Sequence, residues 1–130
     1  KISLAGTNFG VHPNHVDENS NLFEVEWQPG GCIMHRRENI VSEDYYPYSG
    51  KAYFEDVIHS HILRKSGISL FVAIRAKCII KKNPRLLFRG ELYRDYKARL
   101  YFVKMANLSI VRMHIHYIVY IAKSLIGKKL

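Results

Sequence analysis

The strongest periodic signal in the chain lies over residues 51–66. Phe54, Val57, Ile58 and Ile62 recur at helical spacing with His61 on their face, while Lys51, Glu55, Asp56, Ser60 and Arg64 take the other faces. The spacing predicts a helix with Ser49 as its N-cap and Gly67 as its left-handed C-terminal cap. Glu55 and Asp56 fall early, where the helix dipole favours anions, and Arg64 and Lys65 fall late, where it favours cations. Elsewhere the period is two. Phe23, Val25 and Trp27 alternate with Glu24, Glu26 and Gln28, which predicts a half-buried strand over 22–28, closed by Pro29-Gly30-Gly31. A second strand is expected over 32–41, followed by a tyrosine-rich loop over 42–50. Past the helix, Ile68, Leu70, Val72, Ile74, Ala76, Cys78 and Ile80 alternate with Ser69, Arg75, Lys77 and Lys81 until Asn83-Pro84. Further strands are expected over 86–93, 98–105 and 109–122, with a turn at Asn107. The last strand carries Val111, Met113, Ile115, Tyr117, Val119 and Ile121 on one face.

The connections between these strands are too short for crossover helices, so the pairing is expected to be antiparallel. A single amphipathic helix must bury its stripe against that sheet. The expected fold class is therefore α+β, one central helix wrapped by a curved antiparallel sheet. Hotdog, cystatin-like and NTF2-like folds all meet that description. Residues 1–21, polar and broken by Gly6, Gly10 and Pro13, are expected to form an irregular arm, and residues 22–130 a single domain. A chain of 130 residues with 48% hydrophobic content can bury a core, and 12% aromatic residues argue against disorder. No tract approaches the roughly 18 continuous apolar residues of a membrane span. The most apolar one, residues 115–125, is shorter and carries Lys123. A soluble protein, cytoplasmic or organellar, is expected, and the opening Lys1 reads as the mark of a processed or trimmed chain.

A net charge of +9 favours anionic partners: nucleic acid, an acidic protein or a phosphate-rich cofactor such as coenzyme A. It equally suits a solvated basic surface. Cys32 and Cys78 lack disulfide-framework or metal-site spacing and read as small buried hydrophobes.

A set of short motifs then falls in a familiar order: Tyr53-Phe54-Glu55-Asp56, Ile62-Leu63-Arg64-Lys65-Ser66-Gly67, the apolar run from Phe71 to Ala76, Pro84, Gly90-Glu91-Leu92 and Asn107-Leu108-Ser109. In that order and spacing, residues 32–120 resemble the hotdog thioesterase family of the 4-hydroxybenzoyl-CoA thioesterase type. The resemblance implies a hotdog fold, hydrolysis or binding of an acyl-CoA or acyl-carrier thioester, and a homo-oligomer. It implies no cofactor beyond the coenzyme A of the substrate, and no metal. Asp44 matches the first Asp of the family's loop, whereas Tyr46 stands where a second, often catalytic, Asp is usual.

Thioester hydrolysis needs a carboxylate to activate water or attack, and donors to hold the developing oxyanion. Asp44 is the first candidate carboxylate, with Glu43, Glu55 and Asp56 as alternatives; the expected helix N-terminus at Gly50, Lys51 and Ala52 offers the donors. The bland alternative makes these four acids loop charges and dipole complements. Lys81, Lys82, Arg85 and Arg89 cluster about Pro84 and could meet coenzyme A phosphates, RNA or only water. His59 and His61 fall mid-helix, His61 as a core histidine. His114 and His116 are expected to share a strand face at a subunit contact, and His12 and His15 lie in the arm. The alternative function is a catalytically degenerate hotdog scaffold, a basic binding subunit of a larger, RNA-containing assembly. A homo-oligomer is expected, with residues 109–122 or the helix face near the contact.

Overall fold

The computed structural model describes residues 1–9, 21–31, 33–42, 44–73, 75 and 89–125. They form an α+β arrangement of three α-helices and a two-stranded antiparallel sheet. Strand β1 (Leu22–Val25) comes first and helix α1 (Glu55–Lys65) follows a long irregular stretch. Strand β2 (Leu70–Ala73), helix α2 (Arg89–Met105) and helix α3 (Ile110–Leu125) complete the order. Leu22 pairs with Ala73 and Val25 with Leu70, so β1 and β2 lie antiparallel. Phe23 and Val25 are half-buried while Leu22 and Glu24 face water, in keeping with the alternation of the sequence.

Helix α1 stands where its periodicity placed it, although it opens at Glu55 rather than residue 51. Phe54 occupies the N-cap position in a left-handed conformation, φ 60° and ψ 12°, and Ser49 does not cap it. At the other end Gly67 has φ 83°; its N–H donates to the Arg64 carbonyl at 3.0 Å, and Ile68 N–H donates to the Leu63 carbonyl at 3.0 Å. That pair of bonds is a Schellman cap on the expected glycine.

The strands expected over 98–105 and 109–122 are helical instead, as is the part of 86–93 from Arg89 onward. In α2 the buried positions are Asp95, Ala98, Phe102 and Val103, a spacing of three and four that only a helix aligns. Asp95 is bonded to Arg99 one turn on, at 2.8 Å. Asn107, with φ 53°, ends α2 in a second Schellman cap: Asn107 N–H donates to Lys104 O and Leu108 N–H to Val103 O. Ser109 then caps α3 through its Oγ, which accepts the Arg112 N–H at 3.3 Å. The apparent period of two in α3 arises because apolar residues surround most of the helix, so the strand pattern is contained within it. Among its described side chains, only Met113 and Tyr117, four residues apart, are fully in the core. The strand expected over 32–41 is also corrected: its described residues are irregular apart from one 3₁₀ turn, Arg37–Asn39.

The core is where the three helices meet: Val57 and Ile58 of α1, Phe102 and Val103 of α2, Met113 and Tyr117 of α3. Phe54 meets Phe102 edge-on at 5.4 Å between ring centroids. Residues 1–9 make a tight turn in which the Ser3 hydroxyl accepts the N–H groups of Ala5 and Thr7. The Ser109 N–H donates to the Leu4 carbonyl at 3.0 Å, which fastens this turn over the α2–α3 corner. Among the described residues, no helix is long and apolar enough to cross a membrane.

Candidate functional site

The loop ahead of α1 has no regular structure, and its tyrosines hold it in place. Tyr45 OH donates to the Glu55 carboxylate. Tyr46 OH donates to the Tyr53 carbonyl at 2.9 Å, Tyr48 OH to the Lys97 carbonyl at 3.3 Å, and Tyr53 OH to Glu91 Oε1 at 2.8 Å. The last two bonds lay the loop along α2. There it meets a helical face on which Tyr93, Arg94 and Lys97 are neighbours, because residues three and four apart share a side of a helix.

Between the two segments lies a concavity of about 240 Å³, walled by Tyr46, Tyr48, Ser49 and Lys51 of the loop and Tyr93, Arg94 and Lys97 of α2. None of these seven residues is acidic. Lys97 Nζ stands 5.4 Å from the ring centroids of both Tyr48 and Tyr93, within cation–π range. Lys51 Nζ lies 4.9 Å from the Tyr53 ring and 3.6 Å from Glu91 Oε1. Gly50, with φ 89°, turns the chain under the Arg94 guanidinium, 3.6 Å from where a Cβ would stand. Burial raises the Tyr46 and Tyr48 hydroxyls above the ordinary tyrosine value. Both stay protonated at neutral pH, so the charged residues of the lining are the cations Lys51, Arg94 and Lys97, with Lys51 paired to Glu91.

Tyr93, 62% exposed, also stands at the edge of a second concavity of about 420 Å³ between α2 and α3. Leu92, Tyr96, Tyr117, Ile118 and Ile121 line it, and its polar feature is the pairing of Tyr96 OH with His114 Nε2 at 2.9 Å.

The described carboxylates expected to carry chemistry, Asp44, Glu55 and Asp56, do not line this cleft. Asp44 is exposed, and its Oδ1 accepts the Tyr46 N–H at 3.3 Å in a local turn. Glu55 accepts from Tyr45. Asp56 Oδ1 accepts its neighbour's N–H, that of Val57, at 2.9 Å; burial raises its carboxyl above the usual range, against the pull of backbone bonds from Val57 and Gly30. Gly50, Lys51 and Ala52 do not form the helix N-terminus, since α1 begins at Glu55; they belong to the loop, and Lys51 enters the cleft. Glu43, Lys81, Lys82 and Arg85 lie outside the described residues, as do Cys32, Cys78, His12 and His15. Arg89 is the first residue of α2.

His35 and His59 meet as a pair, while His61 and His114 have other ring partners. His59 stacks on Tyr45 at 5.2 Å and meets His35 edge-on at 5.0 Å; burial lowers its pKa, as it does for His61, which rests edge-on against Phe102. His114 and His116 do not share a face, because residues two apart on a helix diverge by about 200°. His114 reaches Tyr96 in the groove, whereas His116 is lowered by burial and by Arg99. Among the described residues, no group of three or more His, Cys, Asp or Glu side chains could hold a metal ion.

Of the described candidates drawn from sequence, the cleft takes only Lys51. Tyr93, Arg94 and Lys97 went unnoticed because residues 86–93 and 98–105 read as strands; on a helical reading their spacing puts them together. No protein-family model matches the chain, and no curated protein or solved structure matches it.

Proposed function

We propose that this chain is a binding module for single-stranded nucleic acid, a basic subunit suited to an RNA-containing assembly. The observation that carries the reading is the convergence of Lys51, Arg94 and Lys97 on one tyrosine-walled cleft with no acid in its lining. Proteins that hold single strands combine cations that follow the phosphates with aromatic rings on which bases stack. Here Tyr48 and Tyr93 offer the rings and Lys97 lies between them. At about 240 Å³ the cleft is smaller than the roughly 300–1,000 Å³ of drug-sized ligand pockets, which suits one unpaired base and its phosphate. The net charge of +9 draws the strand in from a distance.

The test is fluorescence anisotropy with a labelled single-stranded oligonucleotide across a salt series. Three phosphate contacts imply a slope of log K against log salt of about −2, and Lys97→Ala should reduce its magnitude by about 0.7. Tyr48→Ala should weaken binding by roughly 5- to 150-fold, the effect of losing one stacked base. Absence of binding at low salt refutes the reading.

Thioester binding is a second reading, favoured by the wall that Tyr93 shares with the apolar groove. The phosphates of an acyl-CoA would meet Lys51, Arg94 and Lys97, and its acyl chain would follow Leu92, Ile118 and Ile121. The stretch that resembles the hotdog family, residues 32–120, is helical where it is described beyond residue 88. Hydrolysis would have to draw on Asp44, Glu55 or Asp56. Competition by acyl-CoA that strengthens with chain length, together with thiol release abolished by Asp44→Asn, would move the assignment to this reading.

A further inference from the structure

Tyr93 divides two concavities, the cleft beside the tyrosine loop and the groove between α2 and α3. The phase of α2 sets the division. At about 100° per residue, Lys97 and Arg94 stand roughly 40° and 100° to one side of Tyr93, and Tyr96 and Leu92 roughly 60° and 100° to the other. The ring between them is 62% exposed, with Lys97 Nζ 5.4 Å from its centroid. The groove is built differently from the cleft. None of its lining residues is Lys, Arg, Asp or Glu. Tyr117 at its floor is buried and donates its hydroxyl proton to the Leu92 carbonyl, which ties α3 to α2. The Tyr96–His114 pair in the wall spends one hydrogen bond on itself and keeps another. When Tyr96 OH donates to Nε2, its oxygen can accept a further N–H; when Nε2–H donates, the hydroxyl proton is free for a carbonyl.

A ligand that suits this groove has flat faces for its tyrosine and isoleucine walls and an amino or carbonyl edge for the pair. A nucleobase has both, whereas an acyl chain has nothing for the pair. We infer that Tyr93 is a wedge between two successive unpaired bases of one strand. One base stacks in the cleft beside Tyr48 and Lys97, and its neighbour crosses Tyr93 into the groove, where its edge meets Tyr96 and His114. The inference rests on the cleft's binding a single strand, and it adds a second base and the place that holds it. Splayed bases are commonly stacked on aromatic side chains and bonded along their edges, because every base has a π-face. At about 420 Å³ the groove falls within the roughly 300–1,000 Å³ of small-ligand pockets, so it holds a larger group than the cleft does. The pair meets amino and carbonyl edges alike, so this second subsite tolerates any base.

The test uses the whole chain and two labelled single strands of equal length. One carries a single base at its centre and abasic residues elsewhere; the other carries two successive bases. Their phosphates are the same, so both should show the salt slope of about −2 expected of the cleft. The two-base strand should bind roughly 5- to 150-fold more tightly, the worth of one further stacked base. Ile118→Glu sets a carboxylate in the wall of the groove at a position 67% exposed, and its fold is checked by circular dichroism. It should bring the ratio of the two affinities close to one, and reading the ratio within each variant cancels the change in net charge. Tyr96→Phe should lower the same ratio by roughly 2- to 12-fold, the effect of one hydrogen bond. Equal binding of the two strands with the slope intact leaves the cleft reading standing and overturns the wedge. A ratio that survives both variants puts the second base outside the groove and overturns it too. No binding of either strand refutes the cleft reading, and the wedge falls with it. Acyl-CoA affinity that rises with chain length and drops in Ile118→Glu, with no gain from the second base, gives the groove to an acyl chain instead.

Discussion

Replacing Gly6 by alanine tests whether the N-terminal turn is seated on α2. Gly6 has φ 71°, and a Cβ there would stand 2.5 Å from Val103 Cγ2. Val103 is fully buried beside Phe102, so it has nowhere to move. A left-handed conformation costs an L-residue about 1–2 kcal/mol, and forcing a methyl group into a packed core costs about 1–3 kcal/mol more. The stiffer unfolded chain returns about 0.4–1 kcal/mol. The net loss is about 3 kcal/mol, or roughly 10 °C in melting temperature for a domain of this size. Gly67 supplies the control. Its φ is 83°, but a Cβ there meets nothing within 4 Å, so Gly67→Ala carries only the backbone cost. Melting by far-ultraviolet circular dichroism, with urea titration alongside, should place Gly6→Ala well below Gly67→Ala. The Gly6→Ala/Val103→Ala double variant should lose less than the sum of its parts, because the second change removes the clashing methyl group. Equal losses for the two glycine variants would show that the turn does not rest on α2.

Asn107 holds φ 53° between α2 and α3, so Asn107→Gly should keep or slightly raise stability while Asn107→Ala should lower it by about 1 kcal/mol; a urea titration separates them. The pH dependence follows from His59, His61 and His116, each lowered first by burial. In the unfolded chain they take up protons near pH 6.5, whereas the folded chain resists until lower pH, so the unfolded state binds more protons in between. Stability should therefore fall as pH drops from 7 towards 5. Asp56, raised by burial, acts in the opposite sense at lower pH, through the range just above its ordinary value. A melting temperature that is level or rising from pH 7 down to 5 would contradict the histidine assignments.

Helix α1 and its glycine cap were legible because one face is apolar and the other charged, so a single period fits. Strand β1 was legible for the matching reason, with Phe23, Val25 and Trp27 set against three polar neighbours. Helix α3 was misread because a segment that is apolar nearly all round satisfies both periods, and its β-branched residues tilt the choice towards a strand. Burial against α2 overrides that weak preference. The deciding clues were local: Asn107 in a left-handed turn, then Ser109 as a cap. The start of α1 was misplaced because Ser49 offers a capping hydroxyl, whereas the Tyr46 bond to the Tyr53 carbonyl holds residues 50–54 out of the helix. The cleft joins residues 46–51 to residues 93–97, and its existence depends on a helical phase in the second segment. Net charge fits an anionic partner or a solvated basic surface alike, and by itself points to no place on the chain.

The tyrosine-fastened loop makes half of the cleft separable from the helices that carry the other half. Its bonds to α2 are side-chain hydroxyls and one partly exposed ion pair rather than a backbone ladder. The loop has no secondary-structure ladder of its own, so it should exchange its amide hydrogens at a lower free energy than α1, α2 or α3. A strand held between Tyr48 and Lys97 closes that opening, so the ligand would register first as slowed exchange over residues 44–54, before any change in the global melting point.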